Sequence, residues 1–193
     1  MIKLGITGGI GSGKSYISSL LREQLNVPVY DCDSEAKRLM GKDKSIQQRL
    51  TELVGAHVYK EGKLQKSALA DYLFSDQRHA QKVNAIVHPA VKDDFRKWAE
   101  QQRTDVVAIE SAILYESGLD TTVDKVIFVD APKELRIQRV MQRDGSSRQQ
   151  VEARIKIQRA EEQRQKADFI IENEGAQQDF LLEALQRILK NIN

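Results

Sequence analysis

Eight consecutive residues, Gly8-Gly9-Ile10-Gly11-Ser12-Gly13-Lys14-Ser15, fit the pattern G-x-x-x-x-G-K-S in full. Glycines at this spacing let the backbone curl until successive N–H groups point inward, a cradle for phosphate oxygens. The apolar run Ile2–Thr7 precedes the loop, and Ile17, Leu20, Leu21 and Leu25 follow it at helical spacing. The positive N-terminal end of that helix would face the same anion. Lys14 would reach the β- and γ-phosphates, and the Ser15 hydroxyl would take a Mg²⁺ ion. The loop from Gly8 to Ser15, with Tyr16 next on the helix, is therefore expected to hold a nucleoside triphosphate. It does not by itself say that the phosphate is transferred.

A second group follows the run Val27-Pro28-Val29-Tyr30, which ends in Asp31-Cys32-Asp33. Strand C-terminal ends face the ligand crevice in α/β sheets, so both carboxylates would lie on the acceptor side. Asp33 is favoured as the base for an attacking hydroxyl, and Asp31 as a contact to Mg²⁺ through water. The competing reading makes Asp33 or Ser34 the cap of the next helix. Arginines form a third group. Arg136, Arg139 and Arg143 share one helical face, the turn Asp144-Gly145-Ser146-Ser147 follows, and Arg148, Arg154, Lys156 and Arg159 lie beyond it. Such a hairpin could close over a triphosphate, offset charge on the transferring group and exclude water. The alternative is a solvated hairpin paired to Glu134, Glu152, Glu161 and Glu162, the reading preferred for Arg164 and Lys166. His88, before Pro89, reads as a structural hydrogen-bonding residue, and no His/Cys spacing fits a protein-held metal cluster.

The elements that must position these groups are short apolar runs alternating with helical periodicity. The runs are Ile2–Thr7, Val27–Tyr30, Val106–Ile109, Val126–Val129 and Phe169–Ile171. Their near-continuous apolarity predicts parallel strands buried on both faces, in a doubly wound α/β fold with right-handed crossovers. Leu181, Leu185, Ile188 and Ile192 mark a C-terminal helix. Residues 76–100 read as helical with a break or kink at Pro89. From about Ser34 to Arg103 no strand is apparent, only helical segments around Gly55 and Gly62, which reads as a helical insertion.

The chain has 193 residues, 40% of them apolar and 30% charged, with 30 Lys plus Arg against 28 Asp plus Glu. A net charge of +2 disfavours a general coat for nucleic acid or anionic lipid. No stretch is apolar enough for a membrane helix or a signal peptide, and the one cysteine, Cys32, excludes an internal disulfide. A soluble cytoplasmic protein is expected. The guanine-reading pattern Asn-Lys-x-Asp of GTP-binding switches does not occur. The charge is uneven: residues 133–166 hold ten Lys plus Arg and five Asp plus Glu, a net +5, which leaves −3 for the rest.

Over almost its full length the sequence resembles the dephospho-CoA kinase family. The matching pieces are Gly5 to Ser15, Asp31-Cys32-Asp33, Val87-His88-Pro89, Val129-Asp130-Ala131-Pro132, Arg139 to Gly145, Arg154 with Gln158, and Ala167 to Gly175. The resemblance implies a P-loop NTPase fold with a five-stranded parallel sheet flanked by helices. It divides the chain into a core (1–32, 104–135 and 167–193), a helical CoA-binding insertion (about 33–103) and a helical lid (about 136–166). It implies Mg²⁺-dependent transfer of the ATP γ-phosphate to the ribose 3′-hydroxyl of dephospho-CoA, the last step of coenzyme A synthesis. Asp33 takes the position of the base, Arg139 and Arg143 those of lid arginines, and Asn173 a position near the adenine of ATP. Substrate contacts would come from Asp31, Asp33, His88 and Leu114. The partners implied are ATP and dephospho-CoA, without nucleic acid or membrane, for a monomer or small homo-oligomer. Two departures stand out. Cys32 replaces an alanine between the aspartates, and Glu110-Ser111-Ala112-Ile113-Leu114-Tyr115-Glu116 replaces a stretch ending Pro-Leu-Leu-Phe-Glu. Whether Glu110 holds Mg²⁺ or an acceptor hydroxyl is left open by the sequence. Another small-molecule P-loop kinase is the nearest alternative.

Overall fold

The computed structural model describes residues 1–158, 160–175 and 177–192, with the backbone alone at positions 77, 160 and 161. The chain forms two compact units, residues 1–30 with 102–193 and residues 31–101.

The first unit carries a five-stranded parallel sheet in the order β2-β5-β1-β6-β7. Its strands are β1 (Ile2–Thr7), β2 (Val29–Asp31, whose last residue opens the second unit), β5 (Val106–Glu110), β6 (Lys125–Asp130) and β7 (Phe169–Glu172). All five apolar runs are thus strands. The first strand made is the central one: Ile6 pairs with Glu110 on one side and with Ile127 on the other. Leu4 and Ile6 have no exposed surface, as expected of a strand covered on both faces. One cover is α1 (Lys14–Leu25) with α9 (Gln178–Asn191), whose Ile17, Leu21, Leu181 and Leu185 pack with β1 in one apolar cluster. The helix α1 starts after Gly13, at φ 97°, and stops at Asn26, at φ 53°, both left-handed. Between β6 and β7 lie α6 (Lys133–Asp144), α7 (Arg148–Ile157) and α8 (Ala160–Arg164). A capping box from Ser147 and Gln150 starts α7.

The second unit comprises α2 (Cys32–Lys42), α3 (Lys44–Val54), α4 (Lys66–Ser75), α5 (Gln77–Glu100) and a small hairpin, β3 (Tyr59–Lys60) with β4 (Lys63–Leu64). No strand was expected here. Two-residue strands are too short to show a period, and the hairpin is announced only by Glu61 and Gly62, at φ 52° and 73°. Of the break or kink expected at Pro89, a break does not occur: α5 runs through it. Proline removes one backbone bond and costs about 3 kcal/mol. Val83, Ile86, Val87, Val91 and Phe95 lie buried along the same helix, each worth about 1.5–3 kcal/mol, so their sum outweighs the loss. Arg38 ties α2 to α5 through Asp94 at 2.6 Å and also pairs with Glu35, and these carboxylates raise its pKa. Among the described residues no helix is long and apolar enough to cross a membrane.

Candidate active site

The phosphate loop is shaped by what its carbonyls bond. Lys14 Nζ donates to the carbonyls of Gly8 (3.0 Å) and Gly9 (3.2 Å). Arg136 Nε donates to Ile10 O at 3.0 Å, and Arg139 approaches Gly11 O and Ser12 O, both at 3.4 Å. Asn173 Nδ2 donates to Ser12 O at 2.8 Å. Five consecutive carbonyls, 8 to 12, are therefore held by cationic or amide donors. Carbonyl oxygens would repel a phosphate, and this arrangement occupies them. The positive N-terminal end of α1, which starts at Lys14, faces the same place. A Cβ on Gly9 would collide with the Arg136 guanidinium, and one on Gly13 with the Asn173 amide. Glycine is needed at both places for close approach, and at Gly13 for its positive φ as well.

Asn173, which the resemblance places near the adenine of ATP, has its amide bonded to the loop and is 4% exposed. Arg136, one of the three arginines expected over the phosphate, contacts the loop itself. It is 6% exposed and faces the loop backbone, because its place on α6 lies directly over Gly9. Arg139 and Arg143 instead line a cleft of about 150 Å³ with Gly11, Gly13, Lys14, Ser15 and Val140. Arg143 chelates Asp144 at 2.7 and 3.0 Å, which raises the guanidinium's pKa and lowers the carboxyl's. Tyr16 is 41% exposed on α1.

Ser15 Oγ donates to Glu110 Oε1 at 2.9 Å. The parallel pairing of β1 and β5 makes this contact, since Glu110 ends β5 opposite Ile6, just before the loop begins. Glu110, left open by the sequence, is thereby the carboxylate at the Ser15 hydroxyl. A hydroxyl and a carboxylate at this separation are hard oxygen donors suited to Mg²⁺, which commonly takes one or two protein ligands and completes its shell from water and phosphate. Among the described residues no group of three or more His, Cys, Asp or Glu could hold a metal alone.

The rest of the hairpin divides as its partners dictate. Arg148 pairs with Glu134 (2.6 Å) and Glu152 (3.0 Å), and Arg154 reaches Asp144 at 3.4 Å. Arg164, expected to be a solvated lid charge, bonds Asp130 Oδ2 at 2.8 Å, because α8 runs beside the end of β6. Lys166 lies 5.5 Å over the Tyr115 ring. Arg159 lies outside the described residues. Leu114, expected among substrate contacts, has no exposed surface and packs 2.7 Å from where a Gly5 Cβ would sit. It is a core side chain.

In the second unit, the helix cap falls on neither Asp33 nor Ser34. Asp31 caps α2, its Oδ1 accepting from the N–H groups of Asp33 (3.0 Å) and Ser34 (3.2 Å) and its Oδ2 from Ser34 Oγ (2.9 Å). Both Asp31 oxygens are engaged. Asp33 is exposed in the first turn, and its carboxylate takes no partner among the described residues. His88 makes no structural hydrogen bond among the described residues. Burial, with some help from Lys92, lowers its pKa and favours the neutral ring.

A family model described as dephospho-CoA kinase matches residues 2–179. A dephospho-CoA kinase of Bacteroides fragilis is 47% identical over 176 residues, covering 90% of this chain and 85% of the relative. One of Porphyromonas gingivalis is 46% identical over 167 residues, covering 86% of this chain and 82% of the relative. The crystal structure of TT1252 from Thermus thermophilus superposes with a TM-score of 0.84 at 34% identity, over 100% of this chain and 98% of the other.

Proposed function

The chain belongs to the dephospho-CoA kinase family, and from that premise we propose that its loop holds ATP while Asp33 activates the ribose 3′-hydroxyl of dephospho-CoA. The activity is ATP-dependent phosphorylation of dephospho-CoA in coenzyme A biosynthesis. The observation that carries the site assignment is that carbonyls 8 to 12 of the loop are each held by a cationic or amide donor. Lys14 would exchange its two carbonyls for phosphate oxygens, a stronger charge-assisted pairing. Ser15 and Glu110 would hold Mg²⁺, which would supply positive charge to offset the charge of the triphosphate during transfer. Arg139 and Arg143 would cover the same oxygens from the cleft they already line.

Asp33 suits the base because the cap belongs to Asp31, so its own oxygens have no structural duty among the described residues. Residues of the 31–101 unit would hold the CoA moiety, and residues 136–166 would act as the lid. A cytoplasmic setting fits the single cysteine and the soluble substrates.

An acceptor panel tests the reading. Purified protein with Mg²⁺ and ATP is given dephospho-CoA, AMP, CMP or gluconate, and ADP release is followed. Release is expected with dephospho-CoA alone; turnover of another acceptor at a comparable rate overturns the assignment.

A further inference from the structure

Two glutamines outside the set assigned to phosphate transfer meet the phosphate loop and the strand that leads into it. Gln158, at the C-terminal end of α7, presents Oε1 to the backbone N–H of Ile10 at 2.6 Å, across 148 residues of chain. Gln163, in α8, is 4% exposed. Its Oε1 accepts from Thr7 Oγ1 at 3.2 Å. Its Nε2 donates to Glu116 Oε1 at 2.6 Å and to the Gln158 carbonyl at 3.3 Å. The partners dictate how each amide faces. A backbone N–H only donates, so the oxygen of Gln158 must face Ile10; a carboxylate only accepts, so the nitrogen of Gln163 must face Glu116. The adjacent Arg164 anchors the same segment to Asp130 at the end of β6.

Ile10 is consequently gripped from both sides. Its carbonyl is held by Arg136, where α6 begins the arginine-bearing hairpin, and its N–H by Gln158, where α7 ends it. We infer that Gln158, itself fixed by Gln163, is a positioning residue for the triphosphate: it holds the crest of the loop in the curled form before ATP arrives and couples the hairpin to the shape of the phosphate site. The inference rests on reading the loop as the ATP site. A loop that ATP must first order spends binding energy on that ordering, whereas a braced loop does not. The role therefore belongs to ATP affinity and not to affinity for the acceptor.

Gln158→Met tests this, since methionine keeps the length and bulk without the oxygen. ATP binding, followed by calorimetry, is expected to weaken about tenfold, the scale of one lost hydrogen bond. KM for dephospho-CoA should stay within about twofold, and the thermal midpoint should fall by no more than about 3–6 °C, the shift of one hydrogen bond in a chain of this length. The Ile10 amide should exchange slowly in the ATP-free wild-type protein and faster in the variant. Unchanged ATP affinity overturns the inference. So does parallel weakening of both substrates with a large fall in midpoint, which marks a purely structural role. Should the variant fail to fold, rapid wild-type exchange at Ile10 is decisive against the inference and slow exchange supports it. A wild-type protein that binds no ATP overturns the kinase reading itself, a failure distinct from the others.

Discussion

At the scale of single residues, two aspartates of one stretch have different work. Asp31 closes the first turn of α2 with three hydrogen bonds, and Asp33, two residues on, has an exposed carboxylate with no partner among the described residues. Asp33→Asn should therefore leave folding and ATP binding intact while turnover falls by roughly 10²-fold or more, as for loss of a general base. Steady-state kinetics with a calorimetric ATP titration check this. Turnover near the wild-type value would show that position 33 only favours the start of the helix. Which carboxylate caps was not legible from sequence, because Asp31, Asp33 and Ser34 are all good cap residues and only backbone dihedrals choose between them.

At the scale of elements, the strands were readable because β-branched runs such as Val106–Glu110 are buried on both faces and leave a continuous apolar signal. The helix α5 shows the limit of a local signal. Pro89 is a strong local breaker, but the packing along α5 that opposes a break involves residues far apart in sequence. That conflict makes a prediction: Pro89→Ala restores a backbone bond within a helix and is expected to stabilise the protein. The gain of about 3 kcal/mol is reduced by the roughly 0.4–1 kcal/mol of extra freedom in the unfolded chain. Chemical denaturation should show a net gain of about 2 kcal/mol; a loss would mean that α5 depends on the bend proline gives. The loop's braces were less legible than the loop. Gly8 to Ser15 carries its chemistry in a spacing, whereas Gln158, Gln163 and Asn173 are neutral amides whose duty depends on partners more than 100 residues away.

At the scale of the whole molecule, a net charge of +2 conceals a segment at +5 within a body at −3. The structure shows that part of this surplus is spent internally, Arg148 on Glu134 and Glu152, Arg154 on Asp144, and Arg164 on Asp130. What is left for ATP is measurable. Raising monovalent salt from about 0.05 to 0.5 M shortens the Debye length to roughly 4 Å, and ATP affinity should fall about tenfold. A level affinity would mean that the hairpin's cations serve their own carboxylates alone. The placement of the loop's partners also has a consequence during synthesis. Arg136, Arg139, Gln158 and Asn173 lie between 126 and 161 residues beyond the carbonyls and the N–H they hold. At about 5–20 residues per second, the ribosome releases the loop roughly 6–30 s before these partners appear. The loop is thus made well before the partners that hold its shape, and nucleotide can assist only the later steps of maturation, with β1 left to solvent or chaperones until the strands that flank it emerge.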